Sequence, residues 1–215
     1  MALTGLFGGT FNPIHTGHLR AAEEVMKYFP LDRILFIPSY IPPHKDQKEV
    51  VPACHRWRMV EIACQGHPKF IPSDLEVKSP GPSYSILTLR KLKELFPQDI
   101  FWFIVGSDAF LEIQTWKDYN QLLKECSLIV VSRPGFELKK LDKVIDKIKP
   151  DLLVEIDKKE RTEVKDNQPG LYLLEIEALD ISSSEIRRRL RAGLPITGLV
   201  PPGVEDYIMK NRLYV

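Results

Sequence analysis

His15 and His18 stand three residues apart behind the glycine pair Gly8 and Gly9, in the stretch Leu3–Leu19 (LTGLFGGTFNPIHTGHL). Leu3, Leu6 and Phe7 suit a short buried strand, the glycines break it, and Leu19, Ala22, Met26 and Phe29 recur at helical spacing. With Thr16 as N-cap, Gly17 and His18 open the helix, and both imidazoles lie beside backbone N–H groups that have no intrahelical partner. The chemistry such a place offers is anion binding. A helix start carries about half a positive charge, and glycine lets the backbone approach a ligand closely. Two other readings compete. Zinc would need a third ligand, and His44, His55 and His67 are scattered, with neither HExxH nor CxxC in the chain. A plain polar cap does not explain two glycines, Thr10, an Asn-Pro pair and two histidines within residues 8–18. The Walker and GxGxxG patterns are absent, so the phosphate device is of another kind.

Further residues could serve the same chemistry. In PSYIPPHKDQ, residues 38–47, three prolines stiffen the chain and hold Lys45 out on a semi-rigid arm, although a solvated lysine is the plainer reading. In GPSYSILTLRKLKELF, residues 81–96, Ser83 is the expected N-cap; Tyr84 and Ser85 then fall in a first turn whose free N–H groups would receive a carboxylate. Asp108 emerges at the carboxyl end of the apolar run IFWFIVG, where a carboxylate suits ribose hydroxyls or caps the next helix. Trp116, in TWKDY, is a loop indole that either packs or stacks on a flat ligand. Ser182 and Glu185 form a capping box in ISSSEIRRRLRAG, which leaves the N–H groups of Ser183 and Ser184 open to a second phosphate. Arg187 and Arg191 lie on one face of that helix and can reach its first turn; Arg188, Arg189 and Arg191 read equally as a solvated face.

The elements that must hold these residues alternate between strand and helix. Strands are expected at residues 33–38, 70–77, 100–108, 127–133, 152–156 and 171–176, with helices between them and at 137–149, 182–194 and 204–213. Between residues 157 and 168 charges dominate and apolar residues almost vanish, which reads as an excursion between two strands. Nearly continuous apolar strands with helical crossovers indicate an α/β fold, a Rossmann-like doubly wound parallel sheet. At 215 residues the chain fits one domain, residues 1–215, with a C-terminal helical part from about 182. Thirty basic against 29 acidic residues give no global attraction for nucleic acid or an anionic membrane. No apolar run approaches the roughly 18 residues of a membrane span. Cys54, Cys64 and Cys126 are an odd number without metal-like spacing, as expected of reduced thiols in the cytoplasm.

GGTFNPIHTGHL resembles the first motif of the HxGH nucleotidyltransferase superfamily, and the fuller match is to its bacterial nicotinate mononucleotide adenylyltransferase family. PPHK, PSYS, FIVGSD, TWKDY, SRPG, ISSSEIR and the ending VPPGVEDYI extend the likeness over nearly the whole chain. The resemblance implies that Gly8, Gly9, Thr10, Phe11, His15, His18, Gly106, Asp108, Ser183, Ser184 and Arg187 bind ATP. It implies that Lys45, Tyr84, Ser85, Asp108, Trp116 and Arg133 meet the pyridine nucleotide, with Trp116 stacking on the ring and the amides near Ser85 receiving its carboxylate. His15, His18, Lys45 and Arg187 would act on the phosphates, and either Arg56 or Arg58 would support the substrate loops. The chain departs from the family at Asn12, often Asp, at Ser85 and Ser184, both usually Thr, and at Leu87, commonly Asp or Gln. These departures leave the reaction less affected than the details of pyridine recognition.

The implied reaction transfers an adenylyl group from ATP to nicotinate mononucleotide, giving nicotinate adenine dinucleotide and pyrophosphate in NAD biosynthesis. Positioning and charge stabilisation suffice for it, which accounts for donors and cations in place of an activated nucleophile. Mg2+ would arrive with ATP, held by phosphate oxygens and water, with no protein metal site. Neither nucleic acid nor membrane is an expected partner, and a homo-oligomer is compatible with the pattern. The alternatives are nicotinamide mononucleotide or phosphopantetheine as acceptor, a metal-dependent hydrolase, and a nucleotide sensor that does no chemistry.

Overall fold

The computed structural model describes residues 1–43, 47–132, 139–148, 150–151, 153–155, 169–176 and 181–215. Seven parallel strands, β1 Leu3–Gly9, β2 Arg33–Pro38, β3 Phe70–Pro72, β4 Ile100–Gly106, β5 Ser127–Ser132, β6 Leu153–Glu155 and β7 Leu171–Glu175, form one sheet in the order β3-β2-β1-β4-β5-β7-β6. The helices are α1 Thr16–Tyr28, α2 Ala53–Cys64, α3 Ser85–Leu95, α4 Ser107–Leu111, α5 Tyr119–Glu125, α6 Lys139–Ile148, α7 Ser183–Arg191 and α8 Pro202–Lys210. This is the expected doubly wound α/β sheet.

Alternation along the strands separates two cores. From β1 and β4, Phe7, Trp102 and Ile104 face the layer that includes α1, α2, α7 and α8, whereas Leu6, Phe101, Phe103 and Val105 face the layer of α3, α4, α5 and α6. A parallel sheet covered on both faces needs such apolar strands, and burial of these side chains is its principal stabilisation, at about 25 cal/mol per Å² of apolar area. β1 pairs with β2 on one side, through Gly9 and Pro38, and with β4 on the other. The chain therefore winds outward in opposite directions from β1 and β4, and the crevice beyond their carboxyl ends is where an open sheet of this kind receives ligands.

Several boundaries differ from the expectation. The third strand ends at Pro72: the Ser73 N–H makes a last bond to the Phe36 carbonyl at 2.9 Å, and residues 75–78 then form a turn closed by the Lys78 N–H on the Asp74 carbonyl at 2.9 Å. α1 begins at Thr16, which makes His15 the N-cap in place of Thr16. Tertiary contacts claim Thr16: its N–H donates to the Leu199 carbonyl at 3.0 Å, and its hydroxyl contacts the same carbonyl at 2.9 Å. α3 begins at Ser85 with Tyr84 as N-cap, so Ser83 stands outside the helix, where its hydroxyl accepts from the Tyr40 N–H at 2.9 Å. The excursion at 157–168 lies outside the described residues.

Candidate functional site

β1 runs into Gly8 and Gly9 and then into the segment that opens α1. His15 is 3% exposed, and its backbone N–H donates to Nδ1 of His18 at 3.2 Å. The two imidazoles stack with centroids 3.6 Å apart, and the His18 ring meets the edge of Phe11 at 5.1 Å. With Nδ1 of His18 accepting, the proton of the neutral ring resides on Nε2, which leaves an N–H donor on the far side. Gly17 keeps the space between the pair open, since a Cβ there would crowd Nδ1 of His15 at 3.0 Å. At Gly8 and Gly106, by contrast, a Cβ would meet no protein atom within 4 Å. The space above these two strand ends is open.

Two cavities occupy that space. The smaller, of about 200 Å³, is lined by the His15 and His18 rings, Phe11, Gly17, Val131 and Ile181 among others. The larger, of about 450 Å³, has Tyr84, Ser85, Trp116, Thr10 and Asp108 in its wall, together with Pro42 and Pro43. Gly8, Gly9, Ile104 and Gly106 line both and form a shared floor at the β1/β4 junction.

A buried guanidinium holds the loops after β1 and β2 together. Arg56, 1% exposed on α2, donates through Nη1 to the carbonyls of Thr10 at 2.9 Å and Ser39 at 2.6 Å, through Nη2 to Tyr40 at 2.9 Å and through Nε to Val51 at 3.0 Å. One side chain thus fixes the loops after β1 and β2 and the approach to α2. Burial pulls its pKa below the ordinary arginine value, with nearby groups including Tyr214 and Glu76 opposing the shift. Arg58 instead pairs with Glu61 at 3.1 Å on the surface. Of the two arginines considered for the supporting role, Arg56 occupies it.

Asn12 forms a second knot and is 5% exposed. Its Nδ2 donates to the Glu49 carbonyl at 2.8 Å, and Oδ1 accepts from the Val51 N–H at 3.2 Å and the Tyr214 hydroxyl at 3.0 Å. Helix α7 closes on the same segment. Ser182 caps it by accepting from the Glu185 N–H at 3.1 Å, and the Ser183 hydroxyl donates to the Pro13 carbonyl at 2.9 Å. Arg187 Nη1 donates to the Asn12 carbonyl at 3.0 Å, while Nη2 contacts Glu49 at 3.3 Å and the Ser184 hydroxyl at 3.4 Å. Ser183 and Arg187 thus hold the Pro13 and Asn12 carbonyls, Ser184 joins them through Arg187, and none of the three lines either cavity. Glu185 does not complete the expected capping box through its side chain; the carboxylate is held by Arg188 at 2.7 Å. Arg189 donates to the Pro195 carbonyl at 2.9 Å, and Arg191 lies 3.8 Å from Glu49.

In the larger cavity, Trp116 both lines the space and packs on the core, and the Lys117 ammonium sits 5.0 Å from the centre of the Tyr84 ring. Leu87 is 46% exposed and outside the wall, so its departure from the family pattern does not reach the cavity. Glu76, which sequence reasoning passed over, is a cavity residue whose carboxylate accepts from the Thr88 hydroxyl. Burial raises its pKa above the ordinary carboxylate range, against hydrogen bonds from Thr88 and Ser83 and the charge of Arg56. Glu76 follows no periodic or motif signal; only the fold brings it to Thr88. Lys45 and Arg133 lie outside the described residues. Among the described residues, no cluster of three or more His, Cys, Asp or Glu could hold a metal ion, and no helix is long and apolar enough to cross a membrane.

Comparison with known proteins accords with this geometry. The cytidylyltransferase-like family model matches residues 6–189. A Geobacter sulfurreducens protein named "Probable nicotinate-nucleotide adenylyltransferase" is 44% identical, covering 98% of this chain and 97% of its own length. One of the same name from Desulfitobacterium hafniense is 40% identical over 98% of this chain and 94% of its own. The nicotinic acid mononucleotide adenylyltransferase of Plasmodium falciparum, solved complexed with APC and with NaAD, matches in structure with a TM-score of 0.74 at 25% identity, covering 100% of this chain and 98% of its own in each case. The chain belongs to the cytidylyltransferase-like family and, within it, groups with the nicotinate-nucleotide adenylyltransferases.

Proposed function

We infer that the chain joins ATP to nicotinate mononucleotide, and that it acts as one nucleotidyltransferase domain. A phosphate oxygen of the mononucleotide attacks the α-phosphorus of ATP, the bond from that phosphorus to the bridging oxygen of pyrophosphate breaks, and nicotinate adenine dinucleotide and pyrophosphate result. The observation that carries this reading is the pair of cavities on one backbone floor, one ringed by stacked imidazoles and the other by an indole, a phenol and a helix start. Two substrates brought together above Gly8 and Gly106 would meet with no side chain from either glycine between them. Holding reactants in line in this way is worth several kcal/mol of barrier.

In this reading His18 Nε2–H and His15 donate to α-phosphate and bridging oxygens as charge develops on them. Gly8, Gly9, Thr10 and Phe11 let the backbone approach the triphosphate. Arg187 exchanges its contact with Glu49 for a phosphate, and the motif PPHK adds Lys45 to the groups that act on the phosphates. Tyr84, Ser85 and Trp116 hold the pyridine and Asp108 a ribose, and the motif SRPG assigns Arg133 to the mononucleotide. Magnesium enters as Mg-ATP, on phosphate oxygens and water. The absence of any disulfide among Cys54, Cys64 and Cys126 supports a cytoplasmic setting.

The test is pyrophosphate release from Mg-ATP with nicotinate mononucleotide, nicotinamide mononucleotide and phosphopantetheine compared side by side. Release fastest with the nicotinate is expected. Release with none of the three overturns the reading.

A further inference from the structure

Tyr214 stands in a backbone conformation that an aromatic residue rarely adopts. Its φ is +68°, two residues after Arg212 at +48°. Left-handed backbone is costly for such residues and persists only where the surroundings over-determine it. Two contacts do so here. Leu213, 8% exposed, is buried in the core and donates to the Ile208 carbonyl at 3.1 Å, and the Tyr214 hydroxyl donates to Oδ1 of Asn12 at 3.0 Å. The next residue, Val215, is 78% exposed. The strained turn thus serves to bring one phenol to the asparagine that begins the segment leading to His15 and His18.

Asn12 cannot be held in the same way without it. Its Oδ1 receives two donors, the Val51 N–H and Tyr214; its Nδ2 has the Glu49 carbonyl; and its backbone carbonyl receives Arg187. Burial raises the Tyr214 pKa, with Arg187 and Arg56 opposing the shift, so the hydroxyl remains a donor at neutral pH. We propose that Tyr214 is a positioning residue for the nucleotide side of the site, acting through Asn12 on the geometry of the glycine-histidine segment. The assignment rests on the reading of that segment as the ATP site. It predicts a selective defect: Gly8, Gly9 and Thr10 of that segment also line the larger cavity, but Tyr84, Ser85 and Trp116 stand on other segments, so KM for the acceptor nucleotide is not affected.

Steady-state kinetics with Mg-ATP and nicotinate mononucleotide on wild type, Tyr214→Phe, Asn12→Ala and the double variant test it. Tyr214→Phe keeps the ring and removes only the hydroxyl. It is expected to lower kcat/KM for ATP about five- to tenfold, the usual range for one lost hydrogen bond of this kind, with KM for the mononucleotide unchanged and the thermal midpoint lowered only by the few degrees that one such bond costs. Asn12→Ala should cost more, and the double variant no more than Asn12→Ala alone, because the two act as one unit. Wild-type kinetics for Tyr214→Phe, losses that multiply in the double variant, or equal rises in both KM values overturn the proposal. If Asn12→Ala does not fold, Asn12→Asp replaces it: the acceptor oxygen is kept, so Tyr214→Phe must cost the same factor in that background, and no cost there overturns the proposal. Calorimetric titration with Mg-ATP alone separates this inference from the assigned reaction. A wild type that binds ATP without turnover, with Tyr214→Phe binding more weakly, sinks the reaction and keeps the positioning role; a wild type that binds no ATP sinks both.

Discussion

The smaller cavity takes most of its wall from one continuous stretch, residues 7–21, whereas the larger draws on residues 8–10, 37–43, 76–88, 103–109 and 112–117. The first is a packed strand–turn–helix in which Phe7, Phe11 and His18 meet edge to face and Gly17 lies against His15. The second is assembled from loops that touch through polar contacts: Arg56 to Ser39 and Tyr40, Ser83 to Tyr40, Thr88 to Glu76. A contiguous site is fixed by local chain geometry. A dispersed one depends on whatever clamps its loops, and here a buried cation, Arg56, holds the loop after β2 while Ser83 and Thr88 tie in the 76–88 segment.

Substitutions on the two sides should therefore fail differently. The largest effect is expected at the contiguous side: His18→Ala removes a donor aimed at developing charge and should lower turnover by about a hundred- to a thousandfold with the circular dichroism of the wild type. Activity near normal would break the comparison at its centre. Next comes the clamp. Arg56→Met leaves one buried and three part-buried carbonyls without their donor and should cost at least about 3 kcal/mol of stability, read as a lower urea midpoint. A stability loss under about 1 kcal/mol would mean that the loops hold themselves.

Trp116→Ala should raise KM for the acceptor nucleotide about five- to tenfold while leaving KM for ATP in place, the worth of one aromatic stacking contact. Equal changes in both would show that the indole serves packing alone. The smallest effect concerns pH. The folded state raises the Glu76 pKa, so its neutral form is favoured on folding; the stability tied to it is complete below the unfolded carboxylate value and is lost as pH rises through the raised one. Glu76→Gln should flatten that part of the urea-midpoint profile between the ordinary carboxylate range and neutrality. A profile parallel to wild type would put the carboxyl in contact with solvent.

The same contrast explains what could be read from the chain. The central strands were legible because apolar runs such as IFWFIVG have one use in a parallel sheet, and the glycine-histidine segment because its parts are adjacent in sequence. The cap positions at Thr16 and Ser83 were misassigned for one reason: their hydroxyls are well suited to local capping, and partners at Leu199 and Tyr40 took them instead. Arg56 and Arg58 are alike in sequence, and only the buried carbonyls around one of them tell them apart. Glu76 and Tyr214 gave no local signal, since their partners are 12 and 202 residues away along the chain.

The shared floor of Gly8, Gly9, Ile104 and Gly106 bears on how such a protein can be altered. Where two chambers adjoin across main chain, a change of lining in one has few side chains through which to reach the other. On the proposed reading, acceptor preference can then drift or be engineered by exchanging residues around Trp116 while the segment that carries the imidazoles is inherited intact, and a methyl group added at Gly8 or Gly106 would project into space that both chambers share.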